Sequence, residues 1–272
     1  MNPVRNYNIQ NKNNISTDRC SVNRISNGVR IDAKGVHYKE LNELIYQAVD
    51  SGEKEILFDN VNGQRYIGAG LSGDIRITIN GVPGNDLAAF MDGPTIVVNS
   101  NAQDGIGNTM NTGKIIVHGD VGDIAGHSMR GGAIYIKGNA GYRIGIHMKA
   151  YKDSYPVIII GSCAGGFLGE YMAGGLIIVL GLDKRTDAPI VGDYCGTGMH
   201  GGSMYIRGDI EDYHLGKEVK KFNLNNEDGK LLRMYLKEYC ACFSLDLKEI
   251  MNSNFKKLIP TSQRPYGKLY AY

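Results

Sequence analysis

Methionine, or Leu in the first copy, returns at nearly regular intervals along the middle of this chain. The steps between successive copies are 20, 19, 19, 19, 24 and 27 residues, and every copy except Met91 has Gly three residues earlier. Self-similarity at a period of this length is typical of solenoids, in which each repeat stacks on its neighbours. The residues that define the repeat are Gly68, Leu71, Met91, Gly107, Met110, Gly126, Met129, Gly145, Met148, Gly169, Met172, Gly175, Gly196, Met199 and Gly202.

Each repeat ends in a short stretch with apolar residues at alternate positions, such as Ile115 and Val117 or Ile134 and Ile136. Alternation of this kind predicts a β-strand with one face turned inward. Glycines flank each stretch and mark corners, because Gly adopts positive φ without steric cost. About nineteen residues are too few for a helix with two connections, so we predict a mainly β fold. It is a β-solenoid of about seven coils, stacked roughly 4.8 Å apart.

The segments on either side of the repeat carry different patterns. Residues 1–37 show little periodicity and are predicted to be irregular, whereas residues 38–50 have the apolar spacing of a capping helix that ends at Ser51. Residues 227–248 and 247–255 are predicted to form two C-terminal helices. The predicted domains are an N-terminal segment with the capping helix (1–62), the repeat domain (63–210), and a C-terminal helical segment with a docking tail (211–272).

Composition narrows the functional classes. The chain has 272 residues, of which 42% are hydrophobic and 21% charged, as expected for a globular protein. Its 37 glycines occur with 7 prolines and no three-residue period, so they belong to solenoid corners and not to collagen. The net charge of +2, with no basic run interleaved with aromatic residues, argues against a nucleic-acid partner. We find no signal peptide or membrane-length apolar run, so the predicted location is cytoplasmic.

The cysteines are odd in number and irregularly spaced, which favours reduced thiols over a disulfide framework. Cys240 and Cys242 are two residues apart, without a second pair at the spacing that a zinc or cluster site needs. The role of the thiols is left open. The five cysteines are Cys20, Cys163, Cys195, Cys240 and Cys242.

Two segments, 68–73 and 196–201, match the Gly-x-Gly-x-x-Gly pattern of dinucleotide-binding loops. Both are in register with the repeat, and neither lies between a buried strand and a helix with an acidic residue about twenty positions further on. We therefore interpret them as coil corners.

Histidine and aspartate are also common near the corners. His118, His127, His147 and His200 occupy different repeat positions, so no shared column is expected, and exposed or locally hydrogen-bonded imidazoles are the favoured interpretation. Aspartates in turns accept backbone hydrogen bonds, which explains these residues without chemistry. No catalytic, cofactor-binding or metal-binding residue is predicted. The turn aspartates are Asp104, Asp120, Asp123, Asp183, Asp187, Asp193 and Asp209.

Segments 126–138, 161–181 and 196–202 resemble the glycine-repeat (GXGXG) domain that ends the large subunit of glutamate synthase. Residues 264–272 resemble free-standing versions of this domain, which are encoded separately in archaea and some anaerobic bacteria. The resemblance covers roughly residues 63–210. It implies a single-stranded right-handed parallel β-helix without catalytic residues, which holds a glutamine amidotransferase part and an FMN and iron-sulfur synthase part in position. A related β-helix occurs in one of the subunits of formylmethanofuran dehydrogenase.

The favoured functional hypothesis is a scaffold subunit of a glutamate synthase built from separate chains, a component of an oxidoreductase complex. FMN and the iron-sulfur cluster are then expected on a partner subunit, and no membrane partner is expected. One alternative is a scaffold of another redox complex, such as formylmethanofuran dehydrogenase. Another is a stand-alone β-helix enzyme resembling acyltransferases, whose coils need an apolar residue every six positions. Nineteen is not a multiple of six, which argues against it.

Overall fold

The computed structural model of the protein describes residues 15–17, 20–184 and 189–261. In these residues thirteen strands form one sheet, accompanied by three α-helices and a short 3-10 helix at Asp212–His214. The helices are α1 (Tyr38–Asp50), α2 (Asn226–Phe243) and α3 (Leu247–Met251). The strands are β1 (Ile15–Thr17), β2 (Cys20–Ile25), β3 (Gly28–Asp32), β4 (Glu55–Asn62), β5 (Arg76–Val82), β6 (Asp92–Val98), β7 (Thr112–Val117), β8 (Ala133–Ile136), β9 (Val157–Ile160), β10 (Ala173–Val179), β11 (Gly201–Arg207), β12 (Val219–Asn223) and β13 (Phe255–Pro260).

The central strands stack in the order of the chain. From β3 to β11 each strand pairs in parallel with the next, which confirms the predicted mainly β solenoid. At the start β1 and β2 extend the sheet in antiparallel fashion, and at the end β13 and β12 do the same. The outer strand β12 carries Lys220 and Lys221, and lysines of this kind discourage further strand pairing.

The coil count differs slightly from the prediction. We predicted about seven coils, whereas the structure has about six turns. The difference arises because seven repeat positions, from Leu71 to Met199, bound six turns. A second column of parallel single-residue bridges joins the coils at another corner, through Ala102, Val121, Ala140, Ala164 and Val191.

Helix α1 forms as predicted and connects β3 to β4. Leu41, Leu44 and Ile45 lie on one face and are buried in the main core. The helix ends at Ser51, whose backbone N–H donates to the carbonyls of residues in the last turn. The helix therefore covers the first coil.

Three predictions at the flanks are wrong. The described part of residues 1–37 is not irregular but includes β2 and β3, because Val29 and Ile31 turn into the core as a short strand outside the repeat. Helix α2 ends at Phe243 and not near 248, because Ser244 adopts a left-handed conformation with φ 56°. The last helix ends at Met251, and the residues that follow form β13 because they pair with β11.

The sheet has apolar layers on both faces. In β10, Ile177 and Val179 join the core inside the coils, whereas Leu176 and Ile178 face α2 and α3 outside. The C-terminal helices thus cover the outer face of the sheet. Between them and the solenoid, the Tyr239 hydroxyl donates to a backbone carbonyl of β8 at 2.9 Å.

No helix among the described residues is both long and apolar enough to cross a membrane. The predicted docking tail falls within residues 262–272 and lies outside the described part of the chain. The predicted domain boundaries stay a prediction.

Candidate functional site

One wall of the solenoid has an unusual backbone. Just before each repeat Met or Leu, three residues spaced two apart adopt left-handed conformations, as in Ile124, Gly126 and Ser128 with φ of 55°, 70° and 53°. We call the surface formed by these triplets the left-handed wall. Its seven triplets are Tyr66, Gly68 and Gly70; Asp86, Ala88 and Phe90; Gly105, Gly107 and Thr109; Ile124, Gly126 and Ser128; Arg143, Gly145 and His147; Phe167, Gly169 and Tyr171; and Tyr194, Gly196 and Gly198.

The middle residue of the triplet is Gly for a steric reason as well as a conformational one. A Cβ on Gly126 would lie 2.5 Å from the Cδ1 atom of Ile158, and a Cβ on Gly145 would lie 2.7 Å from that of Ile177. The core isoleucines therefore occupy the space that a side chain would need. Ala88 is the exception, with φ 59° and full burial.

The repeat methionines lie directly behind this wall. Leu71 is 3% exposed and the six methionines are fully buried. The residue after each one bonds to the coil before, since the N–H of Arg130 donates to the Met110 carbonyl at 2.9 Å. Gly175 and Gly202 lie against the column, because a Cβ there would come within 3.0 Å of the Met148 Cε atom and 2.5 Å of the Met172 Cε atom.

The outer side of the wall becomes aromatic towards its C-terminal end. The rings of Phe167 and Tyr194 stack with their centroids 4.9 Å apart, and the Arg143 guanidinium lies 4.7 Å from the Phe167 centroid. Arg143 Nε also donates to Glu170 Oε2 at 3.0 Å, and Glu170 is 9% exposed. An ion pair thus holds the cation on the end of an aromatic stack.

A second stack runs beside the first. The rings of His147 and Tyr171 are 5.3 Å apart and nearly parallel, at 9°. The Tyr171 ring also contacts Gly198, because a Cβ on that glycine would overlap the ring. We name Arg143, His147, Phe167, Tyr171 and Tyr194 the aromatic patch. Its tyrosines remain about half exposed, which marks the patch as a candidate interaction surface.

The histidines are less dispersed than their repeat positions suggested. The rings of His127 and His147 lie 6.0 Å apart in adjacent coils. Burial lowers the pKa of His127, and the neighbouring His147 lowers it further. A signal was present in the sequence, since the two residues come two and one positions before successive methionines. His118 lies edge-on to a ring of α2, and His200 Nδ1 is 3.1 Å from the Gly198 carbonyl.

The predicted turn role of aspartate is confirmed where one coil meets the next. Asp104 Oδ1 accepts from the Asp123 N–H at 2.9 Å, and Asp123 Oδ1 accepts from the Tyr142 N–H at 2.8 Å. Asp120 accepts similarly from the next coil. Other aspartates make different contacts: Asp183 lies in a turn, Asp193 contacts His214 Nδ1 at 2.6 Å, and Asp209 lies 3.8 Å from Lys221. Asp187 lies outside the described residues.

The four cysteines whose side chains are described are free thiols. Burial raises the pKa of Cys195 to about 12 and also raises that of Cys240. These thiols stay protonated at neutral pH and are weak nucleophiles. Cys163 and Cys242 are partly exposed, and the side chain of Cys20 lies outside the described part.

The structure shows little else with the geometry of a reactive centre. Within the described ranges, no group of three or more His, Cys, Asp or Glu side chains could hold a metal ion. The segment 68–73 lies on the left-handed wall and the segment 196–201 leads into β11, so neither opens a helix as a dinucleotide loop would.

The fold and the wall together define a glycine-repeat β-solenoid protein. The chain belongs to the GXGXG motif family, whose pattern matches residues 56–263. It is 52% identical over 252 residues to the uncharacterized protein MJ1350 of Methanocaldococcus jannaschii, covering 89% of this chain and 96% of that protein.

A solved structure shares the fold. It is a chain of the formyltransferase/hydrolase complex FhcABCD of Methylorubrum extorquens, crystallised with methylofuran, and it is similar with a TM-score of 0.60 and 19% identity. The similarity covers 86% of this chain and 96% of that one. At this level of identity the likeness concerns the fold.

Proposed function

We propose that this chain is a non-catalytic scaffold subunit of a multi-subunit glutamate synthase. The complex would form glutamate from 2-oxoglutarate and the ammonia released from glutamine, and so assimilate ammonia. The observation that carries the proposal is the GXGXG family match across residues 56–263. We also propose a cytoplasmic location.

The partners in this proposal are a glutamine amidotransferase subunit and a synthase subunit that carries FMN and an iron-sulfur cluster. Such a complex must keep two active sites at a fixed separation, because ammonia has to pass from one to the other. A solenoid suits this task, since each coil is hydrogen-bonded to the next and the stack resists bending along its axis. The raised pKa values of Cys195 and Cys240 also agree with a non-catalytic role.

The test is affinity purification of the tagged chain from its native cells, with mass spectrometry of the proteins that accompany it. Recovery of an amidotransferase-like and an FMN synthase-like protein in similar amounts is the expected result. A matched control uses Gly229→Ala, since Gly229 lies in α2 with open space around it and the change should not alter recovery. Absence of both proteins from the purified material would overturn the proposal.

A second candidate is a scaffold role in a formylmethanofuran dehydrogenase-like complex. The fold likeness to a chain of FhcABCD favours it. The same purification distinguishes the two, because molybdenum- or tungsten-containing subunits would accompany the chain in this case.

A further inference from the structure

The described chain ends beside the aromatic patch. The Thr261 N–H donates to the Glu218 carbonyl at 2.7 Å, and the Glu218 Oε2 atom accepts from the Gly198 N–H at 3.0 Å. Gly198 in turn packs against the ring of Tyr171. The residues that follow Thr261 therefore start one contact away from the end of the left-handed wall.

Reach does not restrict the following segment. Residues 262–272 number eleven and could span roughly 36 Å if extended. His147, at the far end of the patch, lies two coils below Gly198, which is about 10 Å at the spacing of stacked strands. The segment can therefore cover the whole patch from its point of attachment.

The chemistry of the segment matches that of the patch. Its residues at alternate positions are Arg264, Tyr266, Lys268, Tyr270 and Tyr272, and in an extended chain these would share one side. Tyrosine rings can stack on the exposed rings of the patch, and the two cations can lie over ring faces. Arg143 already makes the second kind of contact with Phe167.

Charge near the attachment point favours the same placement. Glu211 and Asp212 are exposed beside the last coil, and Asp193 belongs to the coil that carries Tyr194. These carboxylates attract a segment that carries two cations. Lys221 and His214 offset part of this negative charge.

We propose that residues 264–272 dock on the aromatic patch of the same chain. The tyrosines contact the rings of Tyr171, Phe167 and Tyr194, and Arg264 and Lys268 lie over the rings or beside the nearby carboxylates. The occupant is thus a segment of this chain and not a second copy. The proposal is independent of the scaffold function, since it concerns the isolated chain.

The test places the photo-crosslinker p-benzoylphenylalanine at position 266 or 270 in the full chain, irradiates a dilute solution, and maps the products by mass spectrometry. We expect crosslinks within one chain to peptides that contain residues 143–147, 167–171 or 194–198. Tyr171→Asn should lower their yield about threefold to tenfold, the factor that corresponds to one lost aromatic contact. Asparagine is chosen because it tolerates the left-handed backbone at this position.

The matched control is Phe90→Asn. Phe90 occupies the same place in its triplet as Tyr171, with φ 59° against 52° and 58% exposure against 46%, but lies four coils away. Its substitution should leave the yield unchanged. Should Tyr171→Asn fail to fold, as judged by its melting curve, Tyr194→Asn replaces it with the same expectation.

Three outcomes would overturn the proposal. Crosslinks found in a band of two chains would make a second copy the occupant. Crosslinks to α2, or a yield equally sensitive to Phe90→Asn, would place the segment elsewhere. An absence of crosslinks at both positions would show that the segment does not dock.

Discussion

The two faces of the parallel sheet are filled in different ways. The inner face packs against residues that recur from coil to coil, such as Met110, Met129 and Met148, each fully buried. The outer face is covered by α2 and α3, whose contacts join residues far apart in the chain, such as the Tyr239 hydroxyl and the Ile136 carbonyl. The inner face therefore follows from a local repeat, whereas the outer face depends on one non-repeating segment.

This difference has consequences for stability. The inner packing is dense and offers no space for added atoms, because each coil is closed by the coils above and below. The outer layer is held by apolar contacts together with a few polar anchors: Asp228, Glu238 and Tyr239. Substitutions on the inner side should be the more costly, and those on the outer side should depend more on pH.

The largest effect is expected for Gly175→Val. Gly175 has φ 97°, and a Cβ there would lie 2.7 Å from both the Cγ atom and the carbonyl oxygen of Pro156. Backbone strain and overlap combine, so we expect a loss of more than about 4 kcal/mol in the free energy of unfolding, or no folded protein. His127→Ala, on the partly exposed side of the wall, should change the melting temperature far less. A folded Gly175→Val protein with unchanged melting would contradict the assigned role of the glycine.

Met129→Ala tests the buried column itself. Removal of a fully buried methionine from the middle of the solenoid should cost about 2–5 kcal/mol, because the neighbouring coils cannot collapse into the cavity. Met234→Ala is the control on the outer helix, where the side chain is 60% exposed and the change should stay within about 0.5 kcal/mol. Equal urea midpoints for the two variants would argue against a tightly packed inner face.

Asp228→Asn tests the polar anchor of the outer layer. Burial alone would raise the pKa of Asp228, but hydrogen bonds from the Asn225 N–H, Lys257 and Tyr205 outweigh it and lower the pKa. A lowered folded-state pKa stabilises the protein above the unfolded value of about 3.9, and this stabilisation is lost as the pH falls. The substitution should cost about 1–3 kcal/mol at neutral pH, because Lys257 loses its partner.

The pH dependence provides the check on that prediction. Urea unfolding of the wild-type chain should show stability that declines from about pH 5 downwards, whereas Asp228→Asn should show a shallower decline. Parallel curves for the two proteins would mean that Asp228 does not carry this part of the acid sensitivity.

Tyr239→Phe should have a smaller effect. The ring would remain packed in the outer layer, but the Ile136 carbonyl would lose the hydrogen bond that it accepts from the Tyr239 hydroxyl at 2.9 Å. We expect a loss of about 1 kcal/mol in the free energy of unfolding. An unchanged urea midpoint would indicate that water replaces the hydroxyl and that the helix is held by apolar contacts alone.

The smallest effect is a gain. Gly229 lies inside α2 with open space where a Cβ would be, and its φ is not left-handed. Gly229→Ala should stabilise the protein by about 0.5–1 kcal/mol through helix propensity. A loss of stability at this glycine would erase the contrast with Gly175.

The same contrast explains what the sequence could predict. The repeat of Gly and Met revealed the solenoid and its buried column, because one residue type at a fixed spacing reports a local packing demand. It did not reveal β2, β3, β12 or β13, which lie outside the repeat and form by pairing with other strands. The position of α2 on the outer face was also beyond reach, since Tyr135 and Glu238 are 103 residues apart.

The aromatic patch lies between these cases. Phe167 and Tyr171 could be placed on the same coil from the repeat register, and Tyr194 on the next. Their outward direction depends on left-handed backbone at positions where aromatic residues rarely adopt it, and no sequence rule predicts that conformation for them.

The most direct test of the proposed scaffold role is to assemble the purified chain with its amidotransferase and synthase partners and measure glutamine-dependent glutamate formation. We predict that omitting this chain leaves glutamine hydrolysis by the amidotransferase intact, abolishes its coupling to glutamate formation, and releases ammonia into solution. If the chain alone hydrolyses glutamine or binds FMN stoichiometrically, or if the coupled rate is unchanged without it, the account of a non-catalytic scaffold is wrong.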